Sequence, residues 1–226
     1  MADPAPPGPP ASRFQVAAYR VARGAIVAFS TLYWRLGVDG AEHVPATGAF
    51  VLAPVHRSNI DTPIVAAVTR RKMRFLGKEG VWRYRWSAWL FDTLGGFPVR
   101  RGTADRAALR RCIEVVSGGE PLVMFPEGTR RSGPLVESLY DGAAYVACQA
   151  QVPLVPVGIG GSERAMPAGA RALRPTRVHL VVGPPIHPPP LGPDGRVRRR
   201  HVAELTERLG GQLQLLFDQA RIRAGA

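Results

Sequence analysis

A chain of 226 residues, 46% of them apolar, can bury a substantial core as one ordinary domain, and two cysteines are too few for a disulfide-built scaffold. The formal charge of +13 is carried almost wholly by arginine, since Lys72 and Lys78 are the only lysines, and it draws the surface toward anionic lipid headgroups, phosphorylated substrates or nucleic acid. No apolar run approaches the roughly 20 residues that a spanning helix needs, which points to a protein of the cytosol or of a membrane surface.

Met1–Ser12, rich in proline and alanine with an acidic Asp3, is the opposite of a secretory n-region and is expected to be a disordered lead. Residues 13–36 read as an amphipathic helix. Its apolar residues, among them Phe14, Tyr19, Val21, Ile26, Phe29 and Leu32, either enter a membrane interface while Arg13, Arg20, Arg23 and Arg35 reach headgroups, or pack on the core. Beyond Gly37 short apolar runs alternate with helical patterns. Strands are predicted over Phe50–Val55, Met73–Leu76, Phe97–Val99, Leu122–Phe125, Leu154–Ile159 and Val178–Val182. Helices are predicted over Asp61–Arg70, Val81–Leu94, Thr103–Ser117, Val136–Ala150 and Val202–Arg223. The alternation predicts an α/β fold, with one domain over 37–226, a twisted, mostly parallel sheet flanked by helices, and 13–36 as a membrane-associating helix. Cys112 and Cys148 fall in helical segments without metal or redox spacing and read as buried free thiols. Pro184–Pro193 is a proline-rich connector. The basic cluster Arg196–His201 is either a solvated helix start or a headgroup patch.

Four constellations carry chemistry. The first is His56-Arg57-Ser58-Asn59-Ile60-Asp61, directly after an apolar strand. A histidine suits general-base work, and a carboxylate can fix its tautomer. Five residues along an ideal helix is roughly 140° of rotation, so the pair meets only if His56 lies in a turn before a helix capped by Asp61 or Thr62, with Pro63 in its first turn. The second is the strand Leu122–Phe125 running into Pro126-Glu127-Gly128-Thr129-Arg130, which delivers polar groups to a sheet's carboxyl edge, where an arginine can clamp a phosphate. The third is Phe97-Pro98-Val99-Arg100-Arg101-Gly102, and the fourth is Val155-Pro156-Val157, which has no reactive group and would shape a pocket.

In this order the four blocks resemble the glycerolipid acyltransferase family, typified by 1-acylglycerol-3-phosphate (lysophosphatidate) acyltransferases. The resemblance spans roughly 38–157, and the block Phe125-Pro126-Glu127-Gly128-Thr129-Arg130 matches without departure, whereas Val55 stands where the family often has asparagine. It implies transfer of a fatty acyl group from an acyl-CoA or acyl carrier protein thioester to the hydroxyl of a lysophospholipid acceptor, with no cofactor, no metal and no covalent enzyme intermediate. It implies His56 and Asp61 as the catalytic pair, and Arg101, Glu127, Gly128, Thr129 and Arg130 as substrate-binding residues, with Glu127 orienting an arginine or a glycerol hydroxyl. Arg100 competes with Arg101 for the phosphate, and Lys78 is either a further phosphate candidate or an exposed lysine at a strand end. Other acceptors, namely glycerol 3-phosphate, another lysophospholipid or a glycolipid, stay open. Partners would be a membrane surface with anionic lipids, reached from its cytoplasmic face by a peripheral or monotopic enzyme. Nucleic acid is not expected as a partner, because the aromatics gather in the first helix and in Trp82–Phe91 and do not interleave with a basic stripe.

Overall fold

The computed structural model describes residues 13–78, 80, 83–99, 106–167, 169–170 and 172–226. The expected lead, Trp82, Arg100, Arg101 and Thr103 lie outside them. Seven strands among the described residues form one sheet: β1 (Gly37–Asp39), β2 (Val51–Pro54), β3 (Arg74–Lys78), β4 (Gly96–Val99), β5 (Leu122–Val123), β6 (Leu154–Gly160) and β7 (His179–Val182). Their order is β1-β7-β6-β2-β5-β3-β4, and every neighbouring pair is parallel except β6 with β7. All four residues of β2 and all seven of β6 are buried, which is why these central strands read as unbroken apolar runs.

The helices are α1 (Arg13–Trp34), α2 (Asp61–Ile64), α3 (Arg85–Thr93), α4 (Arg106–Ser117), α5 (Gly142–Ala150), α6 (Ser162–Ala165) and α7 (Arg199–Ala224). From β2 to β3 to β4 the chain steps toward one sheet edge, and from β4 to β5 to β6 it steps back. Right-handed crossovers therefore place α2 and α3 on one face and α4 and α5 on the other. The packing agrees, since α1 lies against α2 and α3, whereas α5 lies against α4 and α7. Adjacent β2 and β5 thus send their connections to opposite faces, which opens a crevice at their carboxyl ends.

Long α7 lies so close to β6 that a Cβ on Gly158 would sit 2.2 Å from the Leu216 carbonyl oxygen, and one on Gly160 2.1 Å from that of Ala220. Only glycine permits this approach.

Several elements differ from expectation. The segment 136–141 is loop, because its backbone groups bond elsewhere: Val136 N–H donates to Gln214 Oε1 and Tyr140 N–H to the Pro126 carbonyl. Regular strand β5 stops at Val123, although Met124 N–H still reaches the Leu52 carbonyl at 2.9 Å. Helix α2 gives way to a 3-10 turn over Val65–Val68. Neither Asp61 nor Thr62 is the N-cap: Ile60 holds that position, and the Asp61 carboxylate turns back into the preceding loop. Cys112 and Cys148 are buried free thiols, and burial pushes them up to about 12 and about 11.

On α1 the inner face carries buried Tyr19, Ser30 and Trp34. Arg23, expected to reach headgroups, instead donates from Nε to the carbonyls of Ala66 and Thr69 at 3.0 and 2.8 Å, closing the end of the 3-10 turn. The outer face is apolar and exposed, with Phe14 at 70%, Val21 at 73% and Leu32 at 83%.

Candidate active site

The β2 strand ends at Pro54, and Val55 remains held to the sheet through its N–H to the Val157 carbonyl at 3.0 Å. The chain then turns before α2, so His56 projects into the crevice between β2 and β5. Its side chain is largely covered yet 16% exposed, while Asp61 is fully buried. His56 Nδ1 lies 3.0 Å from Asp61 Oδ2, and the same oxygen accepts the backbone N–H groups of Arg57 and Ser58 at 2.6 Å each. A carboxylate oxygen can only accept, so Nδ1 carries the ring proton and the Nε2 lone pair is left for chemistry. The Phe125 ring stacks on the imidazole at 4.1 Å between centroids. Two constraints, one at the ring edge and one at its face, thereby fix the orientation of a potential base.

A second polar pair lies beneath the first. Arg57 is 2% exposed and Glu127 is fully buried. Arg57 Nη1 donates to both Glu127 oxygens at 2.6 and 2.7 Å, and its Nη2 donates to the Leu135 carbonyl at 2.9 Å. Its guanidinium also lies over the Phe217 ring of α7, 4.7 Å from the centroid. Glu127 Oε2 further accepts the backbone N–H of His56 at 2.7 Å. The carboxylate named as substrate-binding is thus committed to the loop that carries His56.

The neighbouring residues of that block face outward. Gly128 has φ 66°, in the region that favours glycine, and a Cβ there would lie 2.7 Å from the Tyr140 ring. Gly128, Thr129 and Arg130 are exposed. This loop is tied to the turn that carries His56 because Arg131 N–H donates to the His56 carbonyl at 2.9 Å. Structure therefore brings His56, Asp61, Glu127, Gly128, Thr129 and Arg130 into one crevice. Arg101 lies outside the described residues, and so does Arg100. Val155, Pro156 and Val157 are buried in β6, where they pair with Leu52, Ala53 and Pro54, the residues that lead into the turn with His56.

Sequence reasoning missed the positions of Arg57, Phe125 and Ser58, whose hydroxyl donates to the Met166 carbonyl at 2.8 Å. Charge balance was the available signal for Arg57, because a glutamate at the end of a buried strand requires a cationic partner.

A family model described as Acyltransferase matches residues 35–160. The chain is 26% identical over 159 residues to the chloroplastic 1-acyl-sn-glycerol-3-phosphate acyltransferase of Arabidopsis thaliana, covering 69% of this chain and 44% of that protein. It is 24% identical over 170 residues to the 1-acyl-sn-glycerol-3-phosphate acyltransferase of Bacillus subtilis, covering 75% and 82%. The chain spans less than half the length of the plant relatives it matches. The crystal structure of the 1-acyl-sn-glycerophosphate acyltransferase PlsC from Thermotoga maritima has the same fold, with a TM-score of 0.70 at 24% identity, covering 92% of this chain and 84% of that one.

Proposed function

Because this chain belongs to the Acyltransferase family, we propose that it transfers a fatty acyl group from a thioester to the free hydroxyl of lysophosphatidate, giving phosphatidate for phospholipid synthesis. The observation that carries this reading is the His56 ring, held by Asp61 at one edge and Phe125 at its face, with 16% of its side chain left exposed.

In this reaction His56 Nε2 takes the hydroxyl proton as the acceptor oxygen attacks the thioester carbonyl. The tetrahedral adduct collapses, the C–S bond breaks, and the imidazolium returns its proton to the departing thiolate. Asp61 stabilises the imidazolium that forms between the two steps, and general-base assistance of this kind contributes about 10²–10⁴-fold. The balance closes without a metal, a redox group or an enzyme nucleophile. Arg130, with Arg101, holds the acceptor phosphate, while the exposed Gly128–Thr129 turn borders the reacting carbonyl. Glu127 contributes by fixing the position of the His56 backbone.

The acceptor is a lipid, so the enzyme meets it at a membrane. No helix among the described residues is long and apolar enough to cross one. The exposed apolar face of α1 and the net charge of +13 favour a peripheral or monotopic enzyme on anionic lipid at the cytoplasmic face.

An acceptor panel tests the assignment. Lysophosphatidate should give the highest kcat/KM among lysophosphatidate, glycerol 3-phosphate, other lysophospholipids and glycolipids. Arg130→Ala should raise the KM for lysophosphatidate with little change in kcat, as expected for a ground-state phosphate contact. A preference for another acceptor would move the chain to that substrate, and an unchanged KM would remove Arg130 from the phosphate site.

A further inference from the structure

On the face of the sheet opposite α1, helices α4, α5 and the start of α7 enclose a groove of about 530 Å³ that the reaction described above does not use. We propose that this groove seats the phosphorylated nucleotide head of coenzyme A, so that the acyl donor arrives from the water side while the lipid acceptor arrives from the membrane side. The proposal rests on the acyl-transfer reading.

Three observations carry it. First, the groove combines cations with an apolar floor. Arg106, Arg110 and Arg199 are exposed at its rim, and Leu109, Tyr145 and Val202 line its interior. Among the described residues none of the three guanidiniums is within ion-pair distance of a carboxylate, in contrast to Arg131 and Arg221 elsewhere on the surface. The acidic residue of the lining, Asp141, accepts the Thr206 hydroxyl at 2.8 Å. Free guanidiniums suit phosphate oxygens, and a flat base lies well on a tyrosine and aliphatic floor. Second, a bounded concavity of this volume falls within the roughly 300–1,000 Å³ typical of small-molecule sites, whereas a carrier protein needs a broad face of about 800 Å².

Third, the groove lies at the catalytic edge. Helix α4 is the next described element after β4, and α5 follows the loop that leaves the carboxyl end of β5. A Cβ on Gly142, in the groove wall, would lie 3.7 Å from Met124 Cε. Met124 directly precedes Phe125, whose ring stacks on His56. A flexible pantetheine arm leaving the groove at this end would carry its thioester toward the base.

The test pairs binding with kinetics, using the full chain and the triple variant Arg106→Ser/Arg110→Ser/Arg199→Ser. Calorimetry with free coenzyme A should show binding to the wild type that weakens at least tenfold in the variant. The KM for oleoyl-CoA should rise by a similar factor, while that for phosphate-free S-oleoyl pantetheine moves less than twofold, because losing charge-assisted hydrogen bonds affects only the phosphorylated donor. No coenzyme A binding by the wild type, or binding undiminished in the variant, overturns the proposal. Equal loss with both donors would mean general damage and overturns it too. Loss confined to an acyl carrier protein donor overturns the coenzyme assignment in favour of a protein. Should the wild type transfer no acyl group from any donor, the reaction reading fails, and the calorimetric comparison alone still decides the groove.

Discussion

The turn that carries His56 is held by a buried ion pair. Arg57 and Glu127 are both buried, and each also holds backbone: Glu127 takes the His56 N–H, and Arg57 donates to the carbonyls of His56 and Leu135. Removing one charge of such a pair leaves the other uncompensated in a low-dielectric site, at a cost of roughly 3–5 kcal/mol. Glu127→Gln should therefore lower Tm by about 6–20 °C for a chain of this size, measured by thermal unfolding. A Tm within 2 °C of wild type would show that the charge contributes little to the fold. The His56–Asp61 spacing was legible in the sequence, because a base and its orienting carboxylate lie on one short turn. The Arg57–Glu127 pair was not, since its members are 70 residues apart and meet only once β2 and β5 lie side by side. Glu127 was expected to orient an arginine or a glycerol hydroxyl, and the structure pairs it with an arginine, Arg57, of the turn itself.

Among the elements, α7 and β6 form the tightest join, and α7 also reaches the site. Phe217 lies against Arg57, and Gln214 binds Val136 N–H and the Pro134 carbonyl, so the helix holds both the catalytic turn and the loop after β5. Gly160→Ala would force a methyl group against the Ala220 carbonyl, and backbone cannot swing away as a long side chain can. Overpacking of this kind costs about 1–3 kcal/mol, so the variant should unfold at lower denaturant with an unchanged m-value. An unaltered midpoint would mean that α7 shifts without penalty. Long elements such as α7 and β6 were evident from their apolar patterns. Strand β1, with three residues at the sheet edge, is too short to show a period, and the loop over 136–141 looked helical because its alanine-rich continuation is.

The whole molecule has two differently built faces. Helix α1 presents Phe14, Val21 and Leu32 to solvent on one side of the sheet, and the arginine-rimmed groove opens on the other. Val21→Glu/Leu32→Glu should weaken co-sedimentation with anionic vesicles severalfold while changing stability by less than about 1 kcal/mol, since exposed positions away from caps and cores tolerate substitution. Undiminished vesicle binding would mean that another surface meets the lipid. Strand composition alone indicated a parallel α/β sheet, but the crevice between β2 and β5 depends on strand order. That order is set by pairing between strands far apart in the chain, which no local pattern encodes. The most direct test of acyl transfer by His56 is the rate from oleoyl-CoA to lysophosphatidate, measured side by side in the wild type and His56→Ala. The wild type should form phosphatidate, and the variant should lose at least about 10²-fold in kcat with its fold intact. Equal rates in the two proteins would contradict the assignment of His56 as the base.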